Sequence, residues 1–205
     1  MKLLCFPASN HFTNPTITIF ANMAKHRIVI TGGGGSGKSS LIEHFISQKI
    51  CAIREAAREQ IRVSLEQKSS ALPWEDVVAF SKNVQAQMLL DYSKYPESNF
   101  CFYDRCLLDV LAYLRMDDKD AYPGLMEDIE KHKYFPVVFI LPPWKEIFRN
   151  DTERMEDFEE TVRAYEVIRE TYSLQGYQVV EIPKGSIEQR AQFIFVELAK
   201  WGIHV

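Results

Sequence analysis

A glycine-rich stretch at residues 32–39, with the sequence GGGGSGKS, constrains the fold of this chain more than any other feature. It matches the pattern G-x-x-x-x-G-K-S/T. It lies between a β-branched run at residues 27–31 and a run at residues 40–46 that has apolar residues at helical spacing. Glycines let a strand-to-helix turn wrap closely around an anion, with its N–H groups pointing inward. The flanking elements argue against a merely flexible glycine turn, so the sequence predicts a phosphate-binding loop.

The side chains of this loop suit a nucleotide with its metal ion. Lys38 supplies a positive charge that can reach the outer phosphates, and the Ser39 hydroxyl can join the coordination shell of Mg²⁺. The helix that follows directs its free N–H groups at the same anion. The predicted nucleotide-binding residues are Gly33, Gly34, Gly35, Ser36, Gly37, Lys38, Ser39 and Ser40.

Composition points to one domain and excludes several classes of partner. The 205 residues are 46% hydrophobic, which is enough for one buried core. A net charge of -4 gives no electrostatic basis for nucleic-acid binding, and no apolar run is long enough to span a membrane. The four cysteines lack zinc-site spacing. We interpret them as reduced thiols of a cytoplasmic protein, with Cys51 and Cys101 buried in strand-like runs.

Residues 1–22 differ from the rest of the chain. The run at residues 1–6 resembles the start of a signal peptide, but Pro7 ends it after a few apolar residues. Met23 lies just before the first predicted strand. We therefore expect residues 1–22 to be a leader that is either disordered or not native, and residues 23–205 to form a single domain.

Five short apolar runs alternate with stretches of helical spacing along the chain. Such alternation predicts an α/β fold in which helices cover both faces of a parallel sheet, giving three αβα layers. Ligands of such sheets bind beyond the carboxyl ends of the strands, so the residues directly after each strand become site candidates. The predicted strands are residues 27–31, 50–53, 100–103, 137–141 and 177–182, and the later helices are predicted at about residues 56–67, 74–95, 107–115, 124–132, 157–174 and 186–201.

Asp104 follows the third predicted strand directly. A carboxylate at this position can orient Mg²⁺ opposite Ser39, because the ion prefers oxygen ligands and lies between phosphate oxygens. The alternative is that Asp104 caps the next helix, and both roles can coexist. We predict Ser39 and Asp104 as metal ligands.

Ionisable residues near the ends of strands two and three suit an acceptor molecule. Glu55 could take a proton from an acceptor hydroxyl, and Arg105 could hold the acceptor or its phosphate. The alternatives are a solvated helix face, because Glu55 and Arg58 share helical spacing with Glu59 and Arg62, and a structural pairing of Arg105 with Asp109 or Glu55. The predicted acceptor-binding residues are Glu55, Arg58, Arg105 and Asp109.

Two further segments follow strands four and five. Residues 144–157 are highly charged, and Arg149 and Arg154 would suit a lid that closes over the phosphates; the alternative is a solvated helix start. Lys184 and Gly185, after strand five, could contact the nucleotide base, or they could form only a turn before a capped helix.

Several of these segments together resemble the NadR-type AAA domain family, which covers predicted small ATPases and nicotinamide riboside kinase domains. They are the loop at 32–39, residues 54–59 (REAARE), residues 102–105 (FYDR) with residues 108–113 (LDVLAY), and residues 141–154 from LPPW onward. The resemblance spans about residues 26 to 200. It implies a nucleoside-kinase-like P-loop fold with sheet order 2-3-1-4-5, a lid after strand four, and ATP or GTP with Mg²⁺. Residue by residue it supports Lys38 and Ser39 on the nucleotide, Asp104 on the metal, Glu55 and Arg105 toward an acceptor, and Arg149 and Arg154 in the lid.

We expect a kinase that transfers the γ-phosphate of ATP or GTP to a small-molecule acceptor of the nucleoside type. More ionisable residues follow the strands than nucleotide binding alone requires. An AAA-type ATPase or GTPase that acts as a regulatory switch without an acceptor is the alternative, and a non-catalytic nucleotide-binding module is a weaker one. The sequence leaves open whether the chain forms a homodimer. The predicted catalytic residues are Lys38, Glu55, Arg105, Arg149 and Arg154.

Overall fold

A computed structural model describes residues 26–94, 99–149 and 157–205 of the chain. The described residues include five β-strands that form one parallel sheet. The three central strands of the sheet are short, largely apolar and buried, as expected for strands covered on both faces. The strands are β1 (Arg27–Thr31), β2 (Ala52–Ile53), β3 (Cys101–Asp104), β4 (Val137–Ile140) and β5 (Gln178–Glu181).

The strand order across the sheet is β2-β3-β1-β4-β5, as the family resemblance implies. The central strand β1 pairs with β3 on one side and with β4 on the other. Ile30 lies opposite Asp104 in this register, so the glycine-rich loop and the predicted metal ligand leave the sheet side by side. The topology therefore brings the candidate residues to one edge of the sheet.

Helices cover both faces of the sheet. Side chains alternate along β1, because successive residues of a strand point to opposite faces. Val29 packs into one apolar cluster with the helices Leu107–Met116 and Phe158–Leu174, whereas Ile28 and Ile30 pack into a second cluster with the helices Lys38–Ser47 and Ile187–Ala199. The predicted three-layer αβα fold is confirmed. The helices are α1 (Lys38–Ser47), α2 (Ala56–Gln67), α3 (Val77–Ser93), α4 (Leu107–Met116), α5 (Leu125–Lys131), α6 (Phe158–Leu174) and α7 (Ile187–Ala199).

Capping side chains explain where several helices begin. Helix α3 begins at Val77 rather than at Trp74, because the Asp76 side chain accepts a hydrogen bond from the Ala79 backbone N–H. Ser186 and Gln189 form a capping box at the start of α7. Among the described residues, none of the helices combines the length and apolarity needed to cross a bilayer.

The prediction that all cysteines are reduced thiols is wrong for one pair. Cys51 and Cys101 form a disulfide, with their Cα atoms 4.7 Å apart. Strands β2 and β3 are neighbours in the sheet, and the backbone N–H of Phe102 donates to the Cys51 carbonyl. The strand pairing therefore brings together two residues that are 50 positions apart in the sequence. Cys106 is a buried free thiol.

We expect reduction of the Cys51–Cys101 bond to lower the free energy of unfolding by about 2–4 kcal/mol, because the bond restricts the unfolded chain over a loop of about 50 residues. Urea denaturation with and without a phosphine reductant measures the difference. Cys51→Ala should begin at the lower stability and should not respond to the reductant. Equal midpoints for the oxidised and reduced wild-type protein would contradict the structural role of this bond.

Candidate functional site at the carboxyl edge of the sheet

The glycine-rich loop connects β1 to α1 and is enclosed by other parts of the chain. Gly37 precedes α1 with a φ of 88°, a left-handed conformation that favours glycine. A Cβ atom at Gly33 would lie 2.5 Å from the carbonyl oxygen of Thr161 in α6. The hydroxyl of Thr161 also donates to the Gly34 carbonyl, at 3.2 Å. Glycine is therefore required at these positions by backbone conformation and by close packing.

The Lys38 ammonium lies inside the loop and is almost fully buried. Its Nζ donates to the carbonyl oxygens of Gly32 and Gly33, each at 2.8 Å. Ser39 and Ser40, in the first turn of α1, are exposed. A buried ammonium beside a helix N-terminus is an arrangement that suits the phosphates of a nucleotide.

Asp104, the last residue of β3, is buried next to this loop. Its Oδ1 atom is buried and has no hydrogen-bond partner in the part of the chain that the structure describes. Burial, with the nearby charge of Glu55, raises the pKa of Asp104 to about 7, although Lys38 and Arg105 oppose the shift. A buried carboxylate oxygen without a partner fits a divalent cation.

The fit to Mg²⁺ requires ligands from the nucleotide as well. No group of three or more His, Cys, Asp or Glu side chains among the described residues could hold a metal ion. Asp104 and Ser39 are two oxygen donors at the same edge of the sheet, and Mg²⁺ commonly combines one or two protein ligands with phosphate oxygens. The residues present therefore fit a Mg²⁺ ion that arrives with the nucleotide.

Arg105 is buried directly after β3 and is held by three side chains. Its Nε donates to Glu55 Oε1 at 2.7 Å, and its other nitrogens donate to Asp109 Oδ1 at 3.1 Å and to the Tyr113 hydroxyl at 3.2 Å. Burial lowers the pKa of Arg105, but Tyr113, Glu55 and Asp109 raise it well above its usual range. Its φ of 73° is an uncommon conformation for a residue with a side chain. The guanidinium is therefore fixed, charged and aimed at the end of the sheet.

Glu55 faces this arginine, whereas Glu59 and Arg62 of the predicted charged helix face lie in solvent. Glu55 immediately precedes α2, and its second oxygen lies 3.5 Å from Nε of Arg58. Arg62 instead pairs with Glu59 and Glu66 on the exposed surface. The solvated helix face therefore describes Glu59 and Arg62, whereas Glu55 belongs to the buried cluster around Arg105.

Asp109 is buried and its carboxylate is fully engaged. Oδ2 accepts from the backbone N–H of Cys106 at 2.9 Å and from the Tyr172 hydroxyl at 2.6 Å. Oδ1 accepts from Arg105 and from the hydroxyl of Thr31. We infer that Asp109 positions Arg105 and has little capacity left for direct contact with a ligand.

A cavity of about 310 Å³ opens beside these residues. Its polar end contains Glu55, Arg58, Arg105 and Asp109, and Gly34 of the loop also lines it. Helices α2, α3 and α4 supply apolar walls. The structure therefore brings the four predicted acceptor-binding residues together beside the phosphate-binding loop. The apolar lining residues are Ala57, Ile61, Pro73, Trp74, Val77, Phe80, Val84, Met88, Val110, Tyr113 and Met116.

The other predicted site residues that the structure describes do not line this cavity. Arg149 is exposed, and its NH1 donates to the Phe148 carbonyl at 2.7 Å. Arg154 lies outside the described residues. Lys184 is exposed in the loop after β5, and Gly185 is half-buried there.

Three residues that the sequence did not single out pack against the glycine-rich loop. Thr161 contacts Gly33 and Gly34 as described above. Arg190 of α7 is buried, donates to the Gly37 carbonyl at 3.4 Å, and lies 5.8 Å from the centre of the Trp144 ring. The ring of Phe148 packs against Gly35. Of these three residues, only Phe148 carries a sequence signal for such a contact, because it lies in the segment after strand four.

The fold is the nucleoside-kinase-like P-loop α/β fold. A family model described as an AAA domain matches residues 27–190, so the chain belongs to this AAA domain family. The match, with the structural similarity to NadR below, confirms the resemblance to the NadR-type family.

Two solved structures share the fold at low sequence identity. Deoxyadenosine kinase from M. mycoides with bound dATP superposes with a TM-score of 0.61 at 15% identity, covering 85% of this chain and 99% of that chain. The NadR protein in complex with NR superposes with a TM-score of 0.62 at 16% identity, covering 88% of this chain and 53% of that chain. The present chain thus spans about half of the NadR chain. No curated protein matches the sequence.

The raised pKa of Asp104 makes stability depend on pH. Between pH of about 4 and 7 the folded protein holds a proton here that the unfolded chain releases, so the free energy of unfolding falls as pH rises through this window. Asp104→Asn stays neutral and should be more stable than wild type at pH 8, on the order of 1–3 kcal/mol, with little difference at pH 4.

Denaturation midpoints at pH 4, 6 and 8, measured in a chelator without nucleotide, check this expectation. Asp120→Asn, an exposed aspartate, is the matched control and should follow wild type. If the midpoints of Asp104→Asn and of wild type differ by the same amount at all three pH values, the Asp104 carboxyl is not protonated in the folded protein.

Proposed function

We propose that this protein is a Mg²⁺-dependent small-molecule kinase of the nucleoside-kinase type, which uses ATP or GTP as phosphoryl donor. The observation that carries the proposal is the cavity beside the phosphate-binding loop. A nucleotide-binding loop alone needs no pocket of about 310 Å³ beside it, and this pocket has a buried ion pair of Glu55 and Arg105 at its loop end. Such a pocket is the size of a small-ligand site.

The residues of the loop bind and orient the donor in this proposal. Backbone N–H groups of residues 33–40 and the Lys38 ammonium hold the phosphate chain, and Lys184 and Gly185 contact the base. When bound by Ser39, Asp104 and phosphate oxygens, Mg²⁺ neutralises charge on the phosphates. Most of the catalysis is positioning and charge stabilisation, because phosphoryl transfer requires little covalent chemistry of the protein.

The acceptor lies in the cavity with its hydroxyl near Glu55. The hydroxyl oxygen attacks the γ-phosphorus and forms a new P–O bond, while the bond to the β,γ-bridging oxygen breaks and its electron pair leaves with the nucleoside diphosphate. Glu55 takes the hydroxyl proton and later releases it to water. Arg105 stabilises the charge that develops on the phosphoryl group. Arg149 and Arg154 would add positive charge from a lid after β4.

Both structural relatives agree with this proposal in their ligands. One is a deoxyadenosine kinase with bound dATP, and the other is NadR in complex with NR. They support a nucleotide and a small molecule as the ligands of this chain. Neither sets the identity of the acceptor here.

One contact favours a second candidate function, a regulatory nucleotide switch. Phe148 packs against Gly35, so the segment after β4 touches the loop directly. A nucleotide that displaces this ring would move the segment and could expose a surface to another protein. This candidate predicts nucleotide-dependent association and no phosphorylation of an acceptor.

A panel of nucleosides and small alcohols, each with γ-labelled ATP and GTP, tests the kinase proposal. We expect one acceptor class to consume the γ-phosphate far faster than water does. Glu55→Gln keeps the size of the side chain and removes its basicity, so it should lower kcat for that acceptor about 100-fold or more while the nucleotide Kd changes less than about threefold.

Glu59→Gln is the matched control, because Glu59 lies on the exposed face of the same helix and pairs with Arg62. It should retain wild-type kcat, and melting curves should show that both variants are folded. Slow hydrolysis alone across the panel, for both nucleotides, would count against a kinase and favour the switch.

A further inference from the structure

The two ends of the acceptor cavity differ in chemistry. The polar end, with Glu55, Arg58, Arg105 and Asp109, lies beside the phosphate-binding loop. The wall supplied by α3 is mostly apolar, with Val77, Phe80, Val84 and Met88 along it. Ser81 is the only residue with a polar side chain among the lining residues of α3. The body of an acceptor that extends from the loop along this wall therefore meets few hydrogen-bonding groups.

Helices α2 and α4 continue the apolar lining. Ile61 and Val110 are buried, and Tyr113 and Met116 are half-buried. The hydroxyl of Tyr113 accepts a hydrogen bond from Arg105, which directs the polar atom of this residue toward the polar end. The walls on three helices are therefore similar in character.

Three further charged residues line the cavity but face solvent. Asp117, Glu160 and Arg163 are exposed, so they belong to its rim. The Glu160 carboxylate accepts from the Asp157 backbone N–H at 2.8 Å. Arg163 donates to the Met116 carbonyl at 3.3 Å. These contacts occupy both side chains at the surface of the molecule.

The chemistry of the walls decides which acceptor body is favoured. A heterocyclic base has carbonyl and N–H groups along its edge, and each such group loses its water when it enters the cavity. A pocket that lacks matching donors and acceptors leaves those groups unpaired, which disfavours binding. An aromatic or aliphatic ring loses nothing by the same transfer and packs against Phe80 and Met88.

We propose that the acceptor is an alcohol with an apolar body, in which a hydroxyl on a small polar group reaches Glu55 and an apolar ring packs against α3. The inference rests on the proposed kinase function and narrows the class of its acceptor. A volume of about 310 Å³ is at the lower end for ligand pockets and suits one ring joined to one small polar group. The cavity then selects its acceptor by shape and by excluding polar groups. It does not recognise the hydrogen-bonding groups along the edge of a base.

Two ribosides with the same hydroxyls test the proposal. Uridine carries a polar base, whereas the C-linked riboside 1-deoxy-1-phenylribofuranose, called the phenyl riboside below, carries a phenyl ring in the same place. We expect kcat/KM for phosphorylation of the phenyl riboside to exceed that of uridine by at least about tenfold, because each unpaired base-edge group weakens binding. Calorimetry in the presence of a non-hydrolysable ATP analogue measures the Kd of each riboside. The phenyl riboside should have the lower Kd.

Val84→Thr adds a hydroxyl to the apolar wall at nearly constant volume. It should lower kcat/KM for the phenyl riboside several-fold and narrow the preference over uridine. Val196→Thr makes the same change on the surface of α7, where Val196 is 50% exposed, and should leave the preference unchanged. Melting curves of both variants separate this effect from loss of folding.

The binding and turnover measurements distinguish the two proposals. Tighter binding of the phenyl riboside without phosphorylation of either compound would refute the kinase function and keep the inference about the cavity. Equal or tighter binding of uridine would overturn the inference, as would failure of both ribosides to bind. Phosphorylation of uridine with the higher kcat/KM would also overturn it while leaving the kinase proposal intact.

Discussion

The buried ion pair between Arg105 and Glu55 organises the carboxyl edge of the sheet. Arg105 follows β3, Glu55 precedes α2, and Asp109 on α4 holds the same guanidinium. Asp109 in turn accepts from Thr31 on β1 and from Tyr172 on α6, so five elements meet around one charge. Buried ion pairs add little net stability, because desolvation offsets their attraction. We therefore attribute this cluster to positioning a charge beside the phosphate-binding loop rather than to holding the fold together.

The loop itself is shaped in advance by its neighbours. Thr161 and Arg190, from helices on opposite faces of the sheet, contact its backbone, and Lys38 fills its interior. These contacts fix the backbone of the loop before an anion binds, and preorganisation of that kind lowers the free-energy cost of binding. The unpartnered oxygen of Asp104 lies at the same edge, and its neutralisation by a divalent cation would remove the electrostatic cost of burying it. We therefore expect the binding of the nucleotide and the binding of the metal ion to be coupled.

Sequence patterns predicted the layers of the fold and the strand-end positions of Asp104 and Arg105, because both follow from apolar periodicity and from the rule for parallel sheets. They could not predict contacts that depend on tertiary packing. The Cys51–Cys101 disulfide joins residues 50 positions apart, and Thr161 reaches Gly34 across 127 positions. The sequence also left two environments open for Glu55, the site at the end of the second strand and a solvated helix face. Its position just before α2 turns it toward Arg105, whereas Glu59, one turn later, remains in solvent.

We propose that the loop around Lys38 binds the phosphates of a purine nucleoside triphosphate together with Mg²⁺. Calorimetric titration of purified protein with ATP and with GTP, at two temperatures and with Mg²⁺ present, tests it most directly. We expect saturable binding of one nucleotide per chain for at least one of the two, and at least tenfold weaker binding to a folded Lys38→Ala variant. Absence of binding heat for both nucleotides at both temperatures, or equal affinity in the Lys38→Ala variant, would contradict it.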